Sequence, residues 1–313
     1  MGIHEGLNAA PHARPIRVIG AACGRGAPDP RCAEGPAALR DAGVLERLTR
    51  YGRRATWDVM LDCSTPGLTP LEAVAELCPR LAAATFDAIA DGALPVILSG
   101  DHSCAVGTWA GVSLALKPRG NFGLLWVDAH LDSHTPETSH SGMIHGMPLA
   151  ALLGYGEGSL TECGGEGAKL LPQNVCIVGV RSFEPEEKRF LAEIGVRIFY
   201  MEEVARRGIK SVLRDALELV QAETAGFGIS LDLDVVDPIE APGVGTPAAY
   251  GVKAEELRDA LRGIGESVAL AGIEITEYNP ARDRDGKTGR LAMDLLDGIF
   301  ARSAAHTDQG APA

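Results

Sequence analysis

The feature that most constrains this chain is a set of short apolar runs that do not alternate. LPVILS (94–99), FGLLWVD (122–128), NVCIVGV (174–180) and GFGISLD (226–232) carry apolar residues at successive positions. A strand with one wet face alternates polar and apolar residues, so a run that is apolar on both parities has to be covered on both faces. Parallel sheets between helical layers meet that need. PIRVIGA (15–21), ATWDVM (55–60), VRIFYM (196–201) and VALAGIEI (268–275) complete a set of eight expected strands. Between them lie segments of helical period at 36–50, 69–91, 103–117, 145–154, 185–194, 209–224, 254–265 and 287–303. Short turns join most of these, as βαβ units require. With no internal repeat and no linker-like break, the pattern predicts one doubly wound α/β domain over 1–305 and a disordered tail at 306–313.

In such a sheet, ligands collect at the carboxyl ends of the strands. SGDHS (99–103) ends one strand with His102. DAHLD (128–132) ends the next, and a period of two puts Asp128, His130 and Asp132 on one face. SLDLDVVDP (230–238) ends another with Asp232 and Asp234, and EITEYNP (274–280) ends the last with Glu277. Singly, a buried histidine is usually a hydrogen-bonded core residue, and an aspartate after a strand is often a cap. Asp237, before Pro238, reads as turn chemistry. Six candidate ligands (His102, Asp128, His130, Asp132, Asp232 and Asp234) exceed the three or four of a zinc site. Their four carboxylates match the charge of two divalent cations, and a thiolate-free set with two imidazoles favours Mn²⁺. The residues therefore point to a binuclear hydrolytic centre with two Mn²⁺ per subunit.

The net charge of −13 argues against nucleic acid or an anionic membrane as a partner. No apolar run reaches transmembrane length, and MGIHEGLNAAPHARP lacks the apolar core of a signal peptide. Seven scattered cysteines without a C-x-x-C pair predict reduced, buried thiols in a cytoplasmic protein.

SGDHS, DAHLD, SGMIHGMP and SLDLDVVDPIEAPGVGTP, then EYNP followed by a helix, resemble the motifs of the ureohydrolase (arginase/agmatinase) family, in family order. GPAALR (35–40) fits as well. The resemblance implies an eight-stranded parallel sheet between helix layers, a trimer or hexamer, and hydrolysis of a guanidino group to urea and an amine. It implies that His102, Asp128, Asp132 and Asp232 hold one Mn²⁺, and that Asp128, His130, Asp232 and Asp234 hold the other. Asp128 and Asp232 would bridge. Asp132 would pass a proton from the shared hydroxide to the leaving amine, His145 would shuttle protons, and Glu277 would pair with the guanidinium. A fixed carboxylate there orients a delocalised cation for attack.

The loop SHTPETSHSGMIHG (133–146) is most similar to the arginase form, with L-arginine as the substrate and L-ornithine and urea as products. By that likeness Ser141 and His134 would meet the α-carboxylate, Glu184 would lie near the α-amino group, and Thr246 would line the pocket. Three positions depart from the family pattern: His134 stands where asparagine is usual, Glu184 where aspartate is usual, and Tyr250 where glycine is usual. His134 and His140 could instead be solvated loop residues, and Tyr250 simple packing. An agmatinase or guanidino-acid hydrolase is the alternative within the family. A one-metal zinc deacetylase is disfavoured by the surplus ligands His102, Asp132 and Asp234, and an inactive metal-binding protein by the presence of both His145 and Glu277.

Overall fold

The eight apolar runs form eight strands in the computed structural model, which describes residues 14–301. They are β1 (Ile16–Ala22), β2 (Ala55–Asp62), β3 (Leu94–Ser99), β4 (Gly123–Val127), β5 (Val175–Val180), β6 (Arg197–Tyr200), β7 (Phe227–Asp232) and β8 (Leu270–Thr276). They build one sheet in the order β2-β1-β3-β8-β7-β4-β5-β6, with every neighbouring pair parallel.

The missing alternation has its structural counterpart. In β4, Leu125 and Val127 join one apolar cluster while Leu124 and Trp126 join another, so successive side chains are covered from opposite faces. β3, β4, β5, β7 and β8 are buried along their whole length, whereas edge strand β2 is mostly partly or fully exposed. Each large aliphatic side chain buried this way contributes about 1.5–3 kcal/mol, which favours helices over both faces.

Those helices follow local signals. Pro70–Ala90 begins with a capping box: Thr69 Oγ1 accepts from Glu72 N, Glu72 Oε2 accepts from Thr69 N, and Pro70 takes the first turn. The expected helix 36–50 is instead two, Gly35–Asp41 and Val44–Thr49, because Gly43 takes φ 87° between them. The expected helix 145–154 shortens to Pro148–Leu152, and 254–265 ends at Ala260. Helix Met201–Arg207, absent from the sequence expectation, takes the last residue of the run 196–201.

One expectation is corrected. Cys23 and Cys63 form a disulfide with Cα atoms 5.4 Å apart, so the seven cysteines are not all reduced. The cause is strand register: β1 pairs with β2 with Ala22 opposite Asp62, which brings the next two residues together. Forty residues of separation hide that pairing from the sequence. The other five cysteines are free and buried. The tail expected at 306–313 lies outside the described residues.

After β3 the chain steps past two strand positions to β4, builds outward through β5 and β6, and returns to fill the gap with β7 and β8. The four central neighbours β3, β8, β7 and β4 therefore exit side by side, and the expected metal ligands and Glu277 all follow directly from them. No helix among the described residues is long and apolar enough to cross a membrane.

Candidate metal centre and substrate cavity

The same local device shapes three of the four strand exits. Asp101 Oδ1 accepts from Ser103 N at 2.9 Å, Asp128 Oδ1 from His130 N at 2.7 Å, and Asp232 Oδ1 from Asp234 N at 2.8 Å. An aspartate bonded to the amide two residues on closes a turn and leaves its second oxygen for another partner, Gly26 N at Asp101 Oδ2 and Trp126 Nε1 at Asp128 Oδ2. Asp132 then leaves the DAHLD turn with φ 46°.

The expected ligands converge. His102 Nδ1 lies 3.1 Å from Asp128 Oδ2, 3.0 Å from Asp132 Oδ2 and 3.2 Å from Asp232 Oδ2. His130 Nδ1 lies 3.0 Å from Asp234 Oδ2 and 3.4 Å from Asp128 Oδ1. Two ligand groups result, His102/Asp128/Asp132 and Asp128/His130/Asp234, and Asp128 belongs to both. Trp126 Nε1 donates to Asp128 Oδ2 at 2.9 Å, and its ring stacks on His102 with centroids 4.1 Å apart.

His102 tests whether a cation fits. Its Nε2 is 2.9 Å from Ser230 Oγ, while its fully buried Nδ1 has no hydrogen-bond partner despite three carboxylate oxygens around it. A ring nitrogen facing three carboxylate oxygens calls for a positive charge in their midst. In the absence of a cation, burial opposes charging His102, but Asp128, Asp132 and Asp232 hold its pKa well above the usual histidine value. Burial first, and then mutual repulsion, pushes Asp232 up as well. This cluster gathers positive charge, and a thiolate-free set of oxygens and imidazole nitrogens suits divalent cations.

Glu277 stands beside the cluster, not on the surface. It is 1% exposed and takes φ 65°, with its amide bonded to Gly100 O at 2.8 Å. Its Oε1 accepts from His102 N and faces His145 Nδ1, both at 3.0 Å. Its Oε2 is buried without a hydrogen-bond partner, and a Cβ on Gly245 would come within 3.1 Å of it. Burial raises the Glu277 pKa, but the hydrogen bond and charge of His145 outweigh that and lower it. Burial likewise opposes charging His145, yet Glu277 carries its pKa up to about 9.

Above the cluster opens a cavity of about 120 Å³. His134, Ser141, Glu184 and Thr246 line it, as the sequence leads one to expect. Thr246 Oγ1 donates to Asp234 Oδ2 at 3.3 Å, tying this wall to the cluster. Glu184 and Ser141 are exposed at the mouth, where Ser141 Oγ accepts from Met143 N. His134 is not a solvated loop residue: it is 8% exposed, with Nε2 3.1 Å from Glu184 Oε2 and Nδ1 3.2 Å from Thr138 Oγ1. Tyr250 is not packing: it is 87% exposed at φ 63°, a conformation that suits glycine better.

Three wall residues escaped the sequence reading, Gly146, Ser182 and Glu187. Glu187 is 4% exposed and accepts from Ser133 N and from Glu184 N. Burial, joined by the charge of Asp132, pushes it up to about 8. The signal was present in EPEE: an acidic residue three positions after a cap at a helix start reaches back over the cap.

A three-layer α/β sheet with a carboxylate and imidazole cluster at its central strand exits defines a class of metal-dependent hydrolases. A sequence model of the Arginase family matches residues 14–301, and the chain belongs to that family. It is 40% identical over 296 residues to the arginase of Bacillus caldovelox, covering 92% of this chain and 98% of that one. It is 39% identical over 273 residues to the arginase of Brevibacillus brevis, covering 85% and 91%. Among solved structures it is similar to the Bacillus cereus arginase, with a TM-score of 0.85 at 37% identity over 93% of this chain and 99% of that one.

Proposed function

We propose that this chain hydrolyses L-arginine to L-ornithine and urea with two Mn²⁺ ions. His102, Asp128, Asp132 and Asp232 would hold one ion, and Asp128, His130, Asp232 and Asp234 the other. When bound, the ions supply an activated water at neutral pH and positive charge beside the reacting carbon.

The observation that carries the reading is the partnerless, buried Oε2 of Glu277 next to the cluster. A buried acceptor without a donor is costly, and a guanidinium N–H would satisfy it. Glu277 holds the substrate's planar cation in register, while His145, hydrogen-bonded to the other oxygen, holds it ionised. Asp132 would pass a proton to the leaving amine, and His145 would shuttle protons between the site and the cavity; both line that cavity, which supports the roles. At the mouth, Ser141 and His134 are the partners for an α-carboxylate. Glu184 supplies negative charge for an α-ammonium, and the buried Glu187 carboxyl behind it holds the Glu184 amide.

A four-substrate screen of urea release tests this. L-arginine should exceed agmatine, 4-guanidinobutyrate and 3-guanidinopropionate in kcat/KM. A guanidino compound without the amino group winning would favour the reading as a guanidino-acid hydrolase, for which the tethered His134 is the supporting observation. Elemental analysis should find about two Mn²⁺ per chain, as a two-metal site requires. One zinc per chain with full activity would overturn the pair.

The assembly we propose is a homo-trimer or hexamer, testable by light scattering on the eluting protein. We propose a cytoplasmic location on the five free, buried cysteines; the Cys23–Cys63 disulfide argues the other way. Localisation of the tagged chain by cell fractionation checks it.

A further inference from the structure

We infer that Glu274 is a positioning residue that fixes which ring nitrogen of His102 carries the proton, acting through Ser230, and so prepares Nδ1 to receive a metal ion. The inference rests on reading the cluster as a metal centre.

Glu274 lies on β8 and is fully buried, as are Ser230 on β7 and His102 beyond β3. Three hydroxyls converge on its carboxylate. Ser99 Oγ (3.1 Å) and Thr108 Oγ1 (2.8 Å) donate to Oε1, and Ser230 Oγ (3.0 Å) donates to Oε2. Ser230 Oγ also lies 2.9 Å from His102 Nε2. A hydroxyl has one proton and two lone pairs. With that proton given to Glu274, Ser230 can only accept from His102, so Nε2 carries the ring hydrogen. Nδ1 is left with its lone pair among Asp128, Asp132 and Asp232.

The direction of the chain matters because the opposite one is ruinous. Were Ser230 to turn its proton toward Nε2, Nδ1 would carry the hydrogen and could not ligate. Pairwise, a serine is indifferent between these orientations; the buried carboxylate behind it decides, because the three hydroxyls that reach it all favour its ionised form against the burial that raises its pKa. Ser99 and Thr108 bond the other oxygen, Oε1, and so leave Oε2 to Ser230. Outer carboxylates of this kind typically set metal affinity by about 10- to 100-fold.

Mn²⁺ titration of the metal-free protein against a competing chelator, read with the electron paramagnetic resonance of bound Mn²⁺, tests this. Glu274→Gln and Ser230→Ala should each weaken one of the two binding steps by about 10- to 100-fold and leave the other near wild type. Because the residues act in series, the double variant should lose no more than the worse single variant. Thr108→Val touches the same carboxylate outside the line to His102, so it should lower the melting temperature without weakening Mn²⁺. In Zn²⁺-loaded, ¹⁵N-histidine-labelled protein, the slowly exchanging Nε2–H of His102 should be present in wild type and lost or shifted in Ser230→Ala. Should Glu274→Gln fail to fold, Ser230→Ala decides by the same two readouts. Unchanged affinity, fully multiplying losses, or equal weakening by Thr108→Val would overturn the inference. A wild type that binds no Mn²⁺ would overturn the metal reading itself.

Discussion

The floor and the rim of the cavity are built on different principles. The floor consists of strand exits. His102, Asp128, Asp232 and Asp234 are at most 2% exposed, and each is set by a sheet that is itself buried on both faces. The rim consists of loops and a helix start that hold one another: His134 to Thr138 and Glu184, and Glu184 to Glu187. Its Ser141 and Glu184 are exposed. A floor of this kind leaves no slack, so its residues define the reaction. A rim tied by its own side chains can change composition without disturbing the sheet, so its residues define which molecule is held. The three departures from the family pattern, His134, Glu184 and Tyr250, all lie outside the floor.

If that division holds, the largest effects belong to the shared floor positions. Asp128→Ala and Asp232→Ala should each abolish urea release, by roughly 10³-fold or more, since loss of a two-metal site forfeits its activated water. His102→Ala should chiefly weaken one ion. Near-normal turnover by Asp232→Ala at saturating Mn²⁺ would break the comparison at its base.

Next comes Glu277→Gln, which keeps the shape and removes the charge. A loss in kcat/KM on the order of 10² is expected for a desolvated charge pair at the reacting group. Both ions should stay bound by elemental analysis. Unchanged kinetics would leave the unpartnered Oε2 without a function.

The same division governs what could be read from sequence. Strand exits were legible because a doubly buried strand is visible as an apolar run, so the polar residues that follow it can be placed at the sheet's edge. The period of two expected for DAHLD does not hold: β4 ends at Val127, and Asp128, His130 and Asp132 meet through a turn in which Asp128 accepts from His130 N and Asp132 takes φ 46°. The rim was legible only by likeness, because loop side chains are placed by tertiary partners. That His134 sits between Thr138 and Glu184 depends on two segments 50 residues apart meeting. Glu274 was passed over for another reason. In EIT it looks like one polar residue in a buried strand, and its meaning comes from Ser99, Thr108 and Ser230 on three other segments. The Cys23–Cys63 disulfide was hidden likewise, by strand register.

A rim substitution should separate substrates instead of stopping the reaction. Glu184→Ala removes a charge expected to face the α-ammonium, at a cost of about 1–3 kcal/mol, or roughly 5- to 150-fold. For L-arginine the loss should fall on KM with kcat largely kept. For 4-guanidinobutyrate, which has no amino group, kinetics should hardly move. Equal losses on both substrates would place Glu184 in the structural support of the floor and blur the division.

The smallest effect concerns stability where floor and cavity meet, at the His145–Glu277 pair. His145 has its pKa raised from the ordinary 6.5 to about 9, against burial, by Glu277. A histidine whose folded pKa is raised binds its proton more tightly folded than unfolded. Its contribution is complete below about pH 6.5 and is lost as pH rises through about 9. In metal-free protein, wild type should therefore exceed His145→Asn in unfolding free energy by an amount that shrinks between pH 7 and 9.5. The change should be on the order of 1 kcal/mol, below the full shift because the apo site admits water and its other titrating groups share the charge. Using the difference between variants removes the parallel titrations of His102 and His130, which belong to the floor in both proteins. Chemical denaturation at stepped pH reads it directly. A difference that grows with pH would mean that His145 is neutral beside Glu277, and would leave that carboxylate without the cation that keeps it ionised.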